Sequence, residues 1–481
     1  MNRSRMAGWM VVAVVLLIGA CHDATPAGPS GLDGLVIESG DRQGLDSGAV
    51  AAPLVVRLWS NGHTVSGAMV SWVVTRGGGG VSAPSSVTDS TGRASVTWMP
   101  GVVGFGQGVR ATVAGLTPVE FSITRHRPMT VVGGGNNVSS RYSSDLWLAG
   151  GYAYTGSWGF RATLGNVVSI WPLDGAGAPG SPGTLTLPGV GTISDLQVSP
   201  DSTVLAVTGE YGSGSAGLYL YSLADRANPA LLGSHLVSQG TSGLHTGTLA
   251  VMNGVLYDFT ARDPSSPSLL TFRIQPDSTV PIVLVDSILM PANYGIHDTF
   301  VRDGLLFVEN WNEGVWIYDI GGGGMGGRPD SAVFISSIVT QGGEVHNAWW
   351  FHNPVTGEKK YLFVGQEGPG IVGATSSGDI HVVDISNLAA PVEVAQYHLD
   401  GAGTHNFWMD EPRQILYAAY YNGGVVALDV SGTLAGDLAS RVIARLQPGG
   451  ANDTYVWGVM LYGGHLYAVD MLSGLWELSV P

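Results

Sequence analysis

The sequence predicts an all-β protein with at least two domains. Its 481 residues are more than a domain with a single hydrophobic core usually contains. The chain contains 72 glycines and 25 prolines, and only 12% of its residues are charged, a composition typical of many short strands joined by turns. After Pro128, strand-like segments recur with a period of about 50 residues, which indicates a second domain built from repeats.

Residues 1–21 have the pattern of a bacterial export signal. Arg3 and Arg5 provide positive charge, and the apolar run at 10–18 is too short to cross a bilayer as a helix. The segment LLIGAC ends in Cys21, the only cysteine of the chain. It resembles the lipobox of bacterial lipoproteins, in which the cysteine is lipidated and becomes the new N-terminus. An ordinary secretory signal followed by an unrelated thiol is the alternative.

The lipoprotein resemblance has consequences for location and chemistry. A lipid on Cys21 leaves no other cysteine, so neither a disulfide nor a thiolate metal site is expected. Because His22 rather than aspartate follows Cys21, the resemblance implies an outer-membrane lipoprotein, with its globular part in the periplasm or at the cell surface. Residues 22–30 are rich in small residues and proline and are predicted to form a flexible tether.

Residues 31–127 are predicted to form an immunoglobulin-like β-sandwich. About seven short alternating segments fit in this region, Asn61-Gly62 marks a hairpin turn, and Trp72 is the expected centre of the core. The stretches PLVVRL, GAMVSWVVT, GGGGVS and TDSTGRASVTW resemble bacterial immunoglobulin-like domains of the invasin and intimin type. The resemblance implies a spacer or adhesion module, and the region contains no convergent set of catalytic residues.

Residues 128–481 are predicted to form a seven-bladed β-propeller. The first strands of seven units are SDLWLAG (144), SDLQVSP (194), LHTGTLAV (244), IHDTFVRD (296), VHNAWWF (345), THNFWMD (404) and VWGVMLYG (456). The last unit stops after its third strand, so MTVVGGG at 129–135 is expected to complete it and to close the ring.

Several stretches of these units resemble LVIVD-repeat propellers: GGYAYTG, DGLLFVENWNEGVWIYDI, GDIHVVDISNLAAPVEV and GGHLYAVDMLSGLWEL. The resemblance covers about 350 residues and implies the fold, but little about function. The glycine run GGGGMGG at 321–327 lacks the Lys-Ser/Thr ending of a phosphate loop and is predicted to be a flexible surface loop.

Four histidines occupy one position of the repeat, at the expected mouth of the central channel. They are His245, His297, His346 and His405. The alignment of the units places Asp145, Asp195 and Trp457 at the same position in the other three. The predicted ends of the second strands add Glu210, Asp258, Glu309, Glu367 and Asp470, with Tyr420 and Tyr421. Imidazoles and carboxylates are therefore expected to share one mouth.

The histidines have two interpretations. In the functional one, the four imidazoles hold a divalent transition metal, copper or zinc, and Asp145, Asp195, Asp258 and Glu309 are further ligands or orient the rings. The placement is similar to that of channel histidines in selenium-binding proteins of the methanethiol oxidase type, propellers to which copper-dependent activity is attributed. In the other interpretation, each imidazole hydrogen-bonds groups at a blade junction, and no metal or cofactor is needed.

The formal net charge of −16 argues against a nucleic-acid partner. Two functions stay open. The first is an exported, membrane-anchored binding protein that presents the propeller face to a protein or glycan ligand, without catalysis. The second is a metal-dependent, copper-type enzyme of the periplasm or cell surface that uses the histidine cluster.

Overall fold

The computed structural model describes residues 34–46, 49–102, 104–135, 140–159, 163–211, 214–237, 243–262, 266–291, 295–368, 370 and 372–481. The predicted signal segment with Cys21, the predicted tether 22–30 and residues 31–33 lie outside these residues. The described part contains 40 strands and one 3-10 turn, Ala439–Arg441, so the all-β prediction is confirmed. Within it, no helix has the length and apolar character to cross a membrane.

The N-terminal domain consists of two main sheets that share one core, and of a two-stranded sheet formed by β6 and β9. Its strands are β1 Gly34–Ser39, β2 Gln43–Leu45, β3 Leu54–Ser60, β4 His63–Thr64, β5 Met69–Arg76, β6 Gly79–Val81, β7 Ser85–Val87, β8 Arg93–Val96, β9 Trp98–Pro100, β10 Gly106–Thr112 and β11 Val119–Arg125. One sheet has the order β1-β3-β4 with β8 on β3, and the other has the order β2-β11-β10-β5-β7. Alternating residues of both sheets fill the core, where the rings of Trp72 and Phe121 lie 5.9 Å apart, as expected for Trp72.

Seven sheets follow, six of four strands and one of five. After β12 Val131–Gly134, sheet 1 contains β13 Tyr142–Ala149, β14 Tyr152–Trp158, β15 Val167–Pro172 and β16 Gly183–Thr186; sheet 2 contains β17 Thr192–Val198, β18 Val204–Glu210, β19 Gly217–Ser222 and β20 Ala230–Leu236; sheet 3 contains β21 Leu244–Met252, β22 Val255–Arg262, β23 Ser268–Ile274 and β24 Ile282–Leu289; sheet 4 contains β25 Asp298–Arg302, β26 Leu305–Glu309, β27 Val315–Asp319 and β28 Val333–Ile338. Sheet 5 contains β29 Val345–Phe351, β30 Tyr361–Gln366, β31 Ile380–Asp384 and β32 Val392–Tyr397, with β36 Gly436–Asp437 added at its edge; sheet 6 contains β33 Phe407–Asp410, β34 Ile415–Ala419, β35 Val425–Asp429 and β37 Val442–Leu446; sheet 7 contains β38 Val456–Tyr462, β39 His465–Asp470, β40 Gly474–Leu478 and β12.

The sheets succeed one another around a ring, as in a β-propeller. The first strand of each sheet contacts the first strand of the next, and β13 of sheet 1 contacts β38 of sheet 7. The strand β12 pairs with β40 in antiparallel register, so the two ends of this region share sheet 7. The sequence predicted this pairing, because the last unit lacks a fourth strand of its own. With β12 in place, every sheet of the ring has at least four strands.

The two domains touch through a polar contact. The Arg76 Nη1 atom of the N-terminal domain donates to Ser431 Oγ at 2.5 Å, and Thr124 Oγ1 donates to Asp429 Oδ2 at 3.3 Å. The backbone N–H of Arg127 donates to the carbonyl oxygen of Ile443 at 3.0 Å. These bonds fix the N-terminal domain against sheet 6.

The glycine run at 321–327 surrounds the buried carboxylate of Asp319, which the prediction of a flexible loop did not anticipate. Four backbone N–H groups donate to Asp319, from Gly321, Gly323, Met325 and Gly327, at 2.6 to 3.2 Å. Burial alone would raise the pKa of Asp319, but these donors outweigh it and lower the pKa to about 2.

We therefore expect Asp319→Asn to destabilise the protein by about 2 kcal/mol at neutral pH, because the amide nitrogen cannot accept the bonds that the second oxygen accepts. Since the folded-state pKa of Asp319 lies below the unfolded value, its contribution is complete above about pH 4 and disappears as the pH falls towards 2. Urea denaturation at pH 7 and pH 3 measures this. A gap between wild type and variant that widens at pH 3 would contradict the assignment.

Candidate metal centre in the central channel

The first strands of all seven sheets enclose a central channel, which contains a cavity of about 240 Å³. Each first strand begins with two residues that face one residue of the second strand. Register shifts mark this β-bulge in sheets 1, 2, 3, 5 and 7. In sheets 4 and 6 the backbone bonds give the same pattern, with His297 N donating to Glu309 O at 2.7 Å and His405 N donating to Ala419 O at 2.8 Å. A bulge changes the direction of side chains, so two consecutive residues of each first strand can line the channel.

The two bulge positions form two layers. The first position holds Ser144, Ser194, His245, His297, His346, His405 and Trp457, and the second holds Asp145, Asp195, Thr246, Asp298, Asn347, Asn406 and Gly458. The sequence alignment placed Asp145 and Asp195 level with the histidines, and this was wrong by one residue. Serines stand there, because a bulge adds a residue that the alternation of a regular strand does not reveal.

The four histidines meet in one arc of the channel. Ring centroids lie 4.3 Å apart for His245 and His297, 4.3 Å for His297 and His346, and 4.0 Å for His346 and His405. Trp457 continues the arc at 4.1 Å from His405. His245, His346 and His405 are buried, with His346 only 1% exposed, whereas the side chain of His297 is partly exposed at 19%.

Aromatic side chains complete the surroundings of the imidazoles. Trp158, at the end of β14, lies 5.1 Å from Trp457 and 6.4 Å from His245, on the side where sheets 1 and 2 carry short serines. Trp311 stacks on His297 at 5.0 Å. Sequence reasoning missed Trp158, although it occupies the end of a second strand, the place from which other units supply Glu210 and Glu309.

Carboxylates contact the imidazoles at two places. Glu210 hydrogen-bonds His245 Nδ1. Glu367 lies between two other rings, with its Oε2 atom 3.4 Å from His297 Nε2 and 3.8 Å from His346 Nε2. The hydroxyl of Tyr421 donates to the other oxygen of Glu367. Ligand atoms of His297, His346 and Glu367 all lie within 4.8 Å of one another, so these three residues could hold one metal ion.

Five buried ring nitrogens have no hydrogen-bond partner among the described residues. They are Nδ1 of His297 and both nitrogens of His346 and of His405. Buried polar atoms in proteins are nearly always paired, so this concentration of unpaired nitrogens in one place needs an explanation.

The electrostatics keep these imidazoles neutral. Burial first, and then the neighbouring histidines, lower the pKa of His297, His346 and His405 well below the usual value. Burial raises the pKa of Glu367 to about 7, and the hydrogen bond from Tyr421 opposes that rise. A neutral imidazole is the form that binds metal ions.

Carboxylates form the layer next to the imidazoles. Asn406 Nδ2 donates to Asp145 Oδ1 at 2.8 Å, and Gly247 N donates to Asp195 Oδ2 at 2.9 Å. Burial first, and then the charge of Asp195 and a hydrogen bond to it, raise the pKa of Asp145 well above its usual range. Burial and the charge of Asp195 raise the pKa of Asp298 to about 8. The charge of Asp195 thus contributes to the raised pKa of both Asp145 and Asp298.

Asp258 and Glu309, both fully buried, adjoin this carboxylate layer rather than the ring nitrogens. Thr260 Oγ1 donates to Asp258 Oδ1 at 2.7 Å, whereas Asp258 Oδ2 and both oxygens of Glu309 have no partner among the described residues. Burial raises the pKa of both side chains. For Asp258, the hydrogen bond from Thr260 opposes this rise and the charge of Asp195 adds to it. For Glu309, the charge of Asp298 adds to it. A second cavity, of about 20 Å³, is lined by residues of both layers: Ser194, Asp195, His245, Thr246, Asp298, His346, His405, Asn406 and Trp457.

Comparison with known proteins assigns no family to the chain. No protein-family model matches the chain, and no curated protein matches it. Among solved structures, the chain is similar to the C-terminal WD40 domain of Sif2, with 12% sequence identity and a TM-score of 0.45 over 78% of this chain and 92% of that chain.

Proposed function

We propose that the protein is an exported, lipid-anchored metalloprotein. In this proposal, lipidated Cys21 and the tether 22–30 anchor an immunoglobulin-like spacer at 31–127, which carries a seven-bladed LVIVD-type propeller at 128–481. The two sheets around one core support the spacer, and the seven sheets of the ring support the blade number. The export signal, the lipid and the outer-membrane location rest on the N-terminal sequence alone.

The propeller channel would bind a first-row transition metal. His297, His346 and Glu367 are the proposed ligands, with His245 and His405 on either side of them. The observation that carries the proposal is the set of five unpaired ring nitrogens in a buried site. Leaving a buried polar atom unpaired costs about 1–3 kcal/mol each, and coordination offsets that cost.

The same observation weighs against a purely structural role. Histidines that tie blade junctions together would use their ring nitrogens on backbone or carboxylate oxygens. Among the described residues, the ring nitrogens of His346 and His405 make no hydrogen bond of good geometry, although contacts of His405 with the Trp457 backbone and with Asn406 oppose the fall in its pKa. The junction bonds come from their neighbours instead, since Asn347 Nδ2 donates to the carbonyl oxygen of His405 at 2.8 Å.

The ligand types suggest which metal binds and what it could do. Two imidazoles and one carboxylate suit zinc, copper, iron or nickel, and copper or zinc is our proposal. Three protein ligands leave a coordination position for water or a substrate, as in catalytic rather than structural zinc sites. The proposed metal centre could therefore serve as the active site of an enzyme. We propose no substrate for it.

A protein or glycan ligand on the propeller is the second candidate function. The larger cavity is lined by three partly exposed tryptophans, Trp147, Trp349 and Trp408. Trp408 lies 6.0 Å from Trp147 and 5.5 Å from Trp349, which gives an aromatic surface suited to a flat or ring-shaped ligand. This function needs no metal.

The first proposal is tested by metal analysis of full-length protein made without a histidine tag. The protein is incubated with Zn²⁺ or Cu²⁺ and then separated from free metal by gel filtration. We expect about one equivalent of bound metal per chain, and we expect this binding to require the imidazoles. His297→Ala combined with His346→Ala should remove it, while His398→Ala, in an exposed histidine bonded to Asp379 and Asp400, should not. Both variants should still melt cooperatively.

Less than about 0.1 equivalent of either metal on the wild-type protein would refute the metalloprotein proposal. If the double variant loses its cooperative melt, Glu367→Gln provides a milder test, because the glutamine oxygen can still accept the bond from Tyr421. Unchanged metal content in Glu367→Gln and in a folded double variant would remove these three residues as ligands.

A further inference from the structure

We propose that the part of the channel beyond the two bulge layers binds one neutral sugar ring, the end residue of a glycan. This inference rests on the second candidate function and deepens it, because it names the class of ligand and the side chains that recognise it. The site uses none of the three residues proposed as ligands of the transition metal.

The aromatic wall of this site comes from one position of the repeat, three residues after the first bulge position. Its members are Trp147, Phe300, Trp349 and Trp408, from sheets 1, 4, 5 and 6, and all four line the cavity of about 240 Å³. Ring centroids lie 5.3 Å apart for Phe300 and Trp349, 5.5 Å for Trp349 and Trp408, and 6.0 Å for Trp408 and Trp147. The aromatic wall is therefore a continuous arc along one side of the channel.

The rings of the aromatic wall are inclined to one another. The interplanar angles are 43°, 59° and 75° for the same three pairs, in the same order. Two parallel rings would sandwich a flat aromatic ligand, whereas inclined neighbours present a curved surface. The C–H groups on the face of a puckered sugar ring carry partial positive charge, which the negative faces of aromatic rings attract. The shape and the electrostatics of the wall therefore favour a sugar over a planar ligand.

The other side of the same repeat position is polar. Gln197 and Thr248 occupy it in sheets 2 and 3, and both line the cavity. The oxygen of the Gln197 amide accepts from the backbone N–H of Leu249, which fixes the side chain, so its nitrogen is the part that can donate to a ligand. Asn347 and Asn406 line the cavity one layer deeper. One apolar side and one polar side match a sugar ring, which has C–H faces and a rim of hydroxyl groups.

One donor of the aromatic wall lacks a partner. The Nε1 atom of Trp349 is buried and makes no hydrogen bond to any described residue, although the Trp349 side chain lines the cavity. A buried indole N–H usually has a hydrogen-bond acceptor. A sugar hydroxyl can accept this bond, whereas a hydrocarbon ligand would leave the N–H unpaired.

The size and charge of the cavity narrow the class of ligand. Pockets for drug-sized ligands measure about 300–1,000 Å³, so a cavity of about 240 Å³ admits one ring rather than a longer stretch of oligosaccharide. No lysine or arginine is among the described residues that line this cavity, so a phosphorylated or carboxylated ligand would meet no opposite charge. The side chains of the aromatic wall are partly exposed, so a terminal ring can enter from solvent.

The test uses the methyl glycosides of glucose, galactose, mannose and N-acetylglucosamine as neutral probes, with saturation-transfer NMR and isothermal titration calorimetry. At least one of them should bind to untagged full-length protein. Trp408→Ala should weaken that binding at least about tenfold, because it removes the ring that contacts both other tryptophans of the wall. Trp59→Ala is the matched control and should bind like wild type, since Trp59 is a partly exposed tryptophan of the N-terminal domain that packs against Arg57.

The sugar site is refuted if none of the glycosides binds, or if Trp408→Ala binds its glycoside with unchanged affinity. If Trp408→Ala does not melt cooperatively, Phe300→Ala takes its place, and unchanged sugar affinity of that variant also refutes the site.

Two further measurements separate this failure from failure of the proposed functions. Metal content is determined on the same samples, and Trp408→Ala should retain the wild-type amount, because the aromatic wall contains none of the proposed metal ligands. Indole serves as a ring-shaped probe without hydroxyl groups. Binding of indole but of no glycoside, lost in Trp408→Ala, would refute the sugar and keep the aromatic surface as a ligand site. If neither indole nor any glycoside binds, the second candidate function is refuted as well.

Discussion

Asp429→Ala is expected to lower the free energy of unfolding by about 3–5 kcal/mol, because it leaves a buried arginine without its carboxylate partner. Asp429 is 2% exposed and Arg441 is 7% exposed. The Arg441 Nη1 atom lies 3.3 Å from Asp429 Oδ2 and also donates to the carbonyl oxygen of Ser431 at 2.7 Å. Its Nη2 atom donates to Thr433 O at 2.9 Å, so the guanidinium is tied to the interior and cannot turn to water cheaply.

The same carboxylate faces the other domain. Burial lowers the pKa of Arg76, and the negative charge of Asp429 opposes this change. Removing Asp429 is therefore expected to weaken the contact between the two domains as well as sheet 6. Urea denaturation followed by tryptophan fluorescence gives the free energy, and limited proteolysis between the domains reports on the contact.

Asp437→Ala is the matched control, because Asp437 is exposed and its carboxylate only accepts a bond from Ala439 N at 2.8 Å. We expect this control to lower the free energy of unfolding by about 1 kcal/mol or less. If the free energy of unfolding of Asp429→Ala is as close to the wild-type value as that of the control, Asp429 does not stabilise the buried arginine.

Gly134→Ala is expected to destabilise the ring by roughly 2–5 kcal/mol, the sum of about 1–2 kcal/mol for a left-handed backbone and about 1–3 kcal/mol for overpacking. Gly134 has φ +93°, and a Cβ atom there would stand 2.3 Å from the carbonyl oxygen of Leu475. That oxygen belongs to the backbone of β40, so it can move only if the pairing of β12 with β40 changes.

Gly133 provides a control one residue away in the same strand. A Cβ atom at Gly133 meets nothing within 4 Å, and its backbone is not left-handed, so Gly133→Ala should leave the melting temperature within a few degrees of wild type. Differential scanning calorimetry of both variants decides the point. Equal melting temperatures for the two variants would mean that β12 contributes little to closing sheet 7.

The sequence predicted much of the architecture because repetition reveals it. Seven recurring first strands and a missing fourth strand were enough to anticipate the four-stranded sheets and the pairing of 129–135 with the C-terminal strand. The convergence of His245, His297, His346 and His405 followed from their common place in the repeat. The proposed metal role of these histidines and the lipidation of Cys21 stay predictions.

Features that depend on local backbone irregularity or on distant contacts could not be predicted. The bulges shift Asp145 and Asp195 by one position, and no alternation of polar and apolar residues marks a bulge. The role of Glu367 depends on side-chain distances to His297 and His346 in neighbouring sheets. The contact between Arg76 and Ser431 joins residues that are far apart in the chain, and nothing local to either predicts it.

The bulges also affect how such a protein can evolve. The strands pair through backbone atoms, so exchanging a side chain at a bulge position alters the channel without changing the ladder. Duplication of a repeat copies its channel position along with its sheet. The pairs His-Thr, His-Asp, His-Asn and His-Asn in sheets 3 to 6 differ only in the second residue, while sheets 1 and 2 both carry Ser-Asp. Lineages with this scaffold could therefore gain, lose or exchange channel-lining side chains one codon at a time.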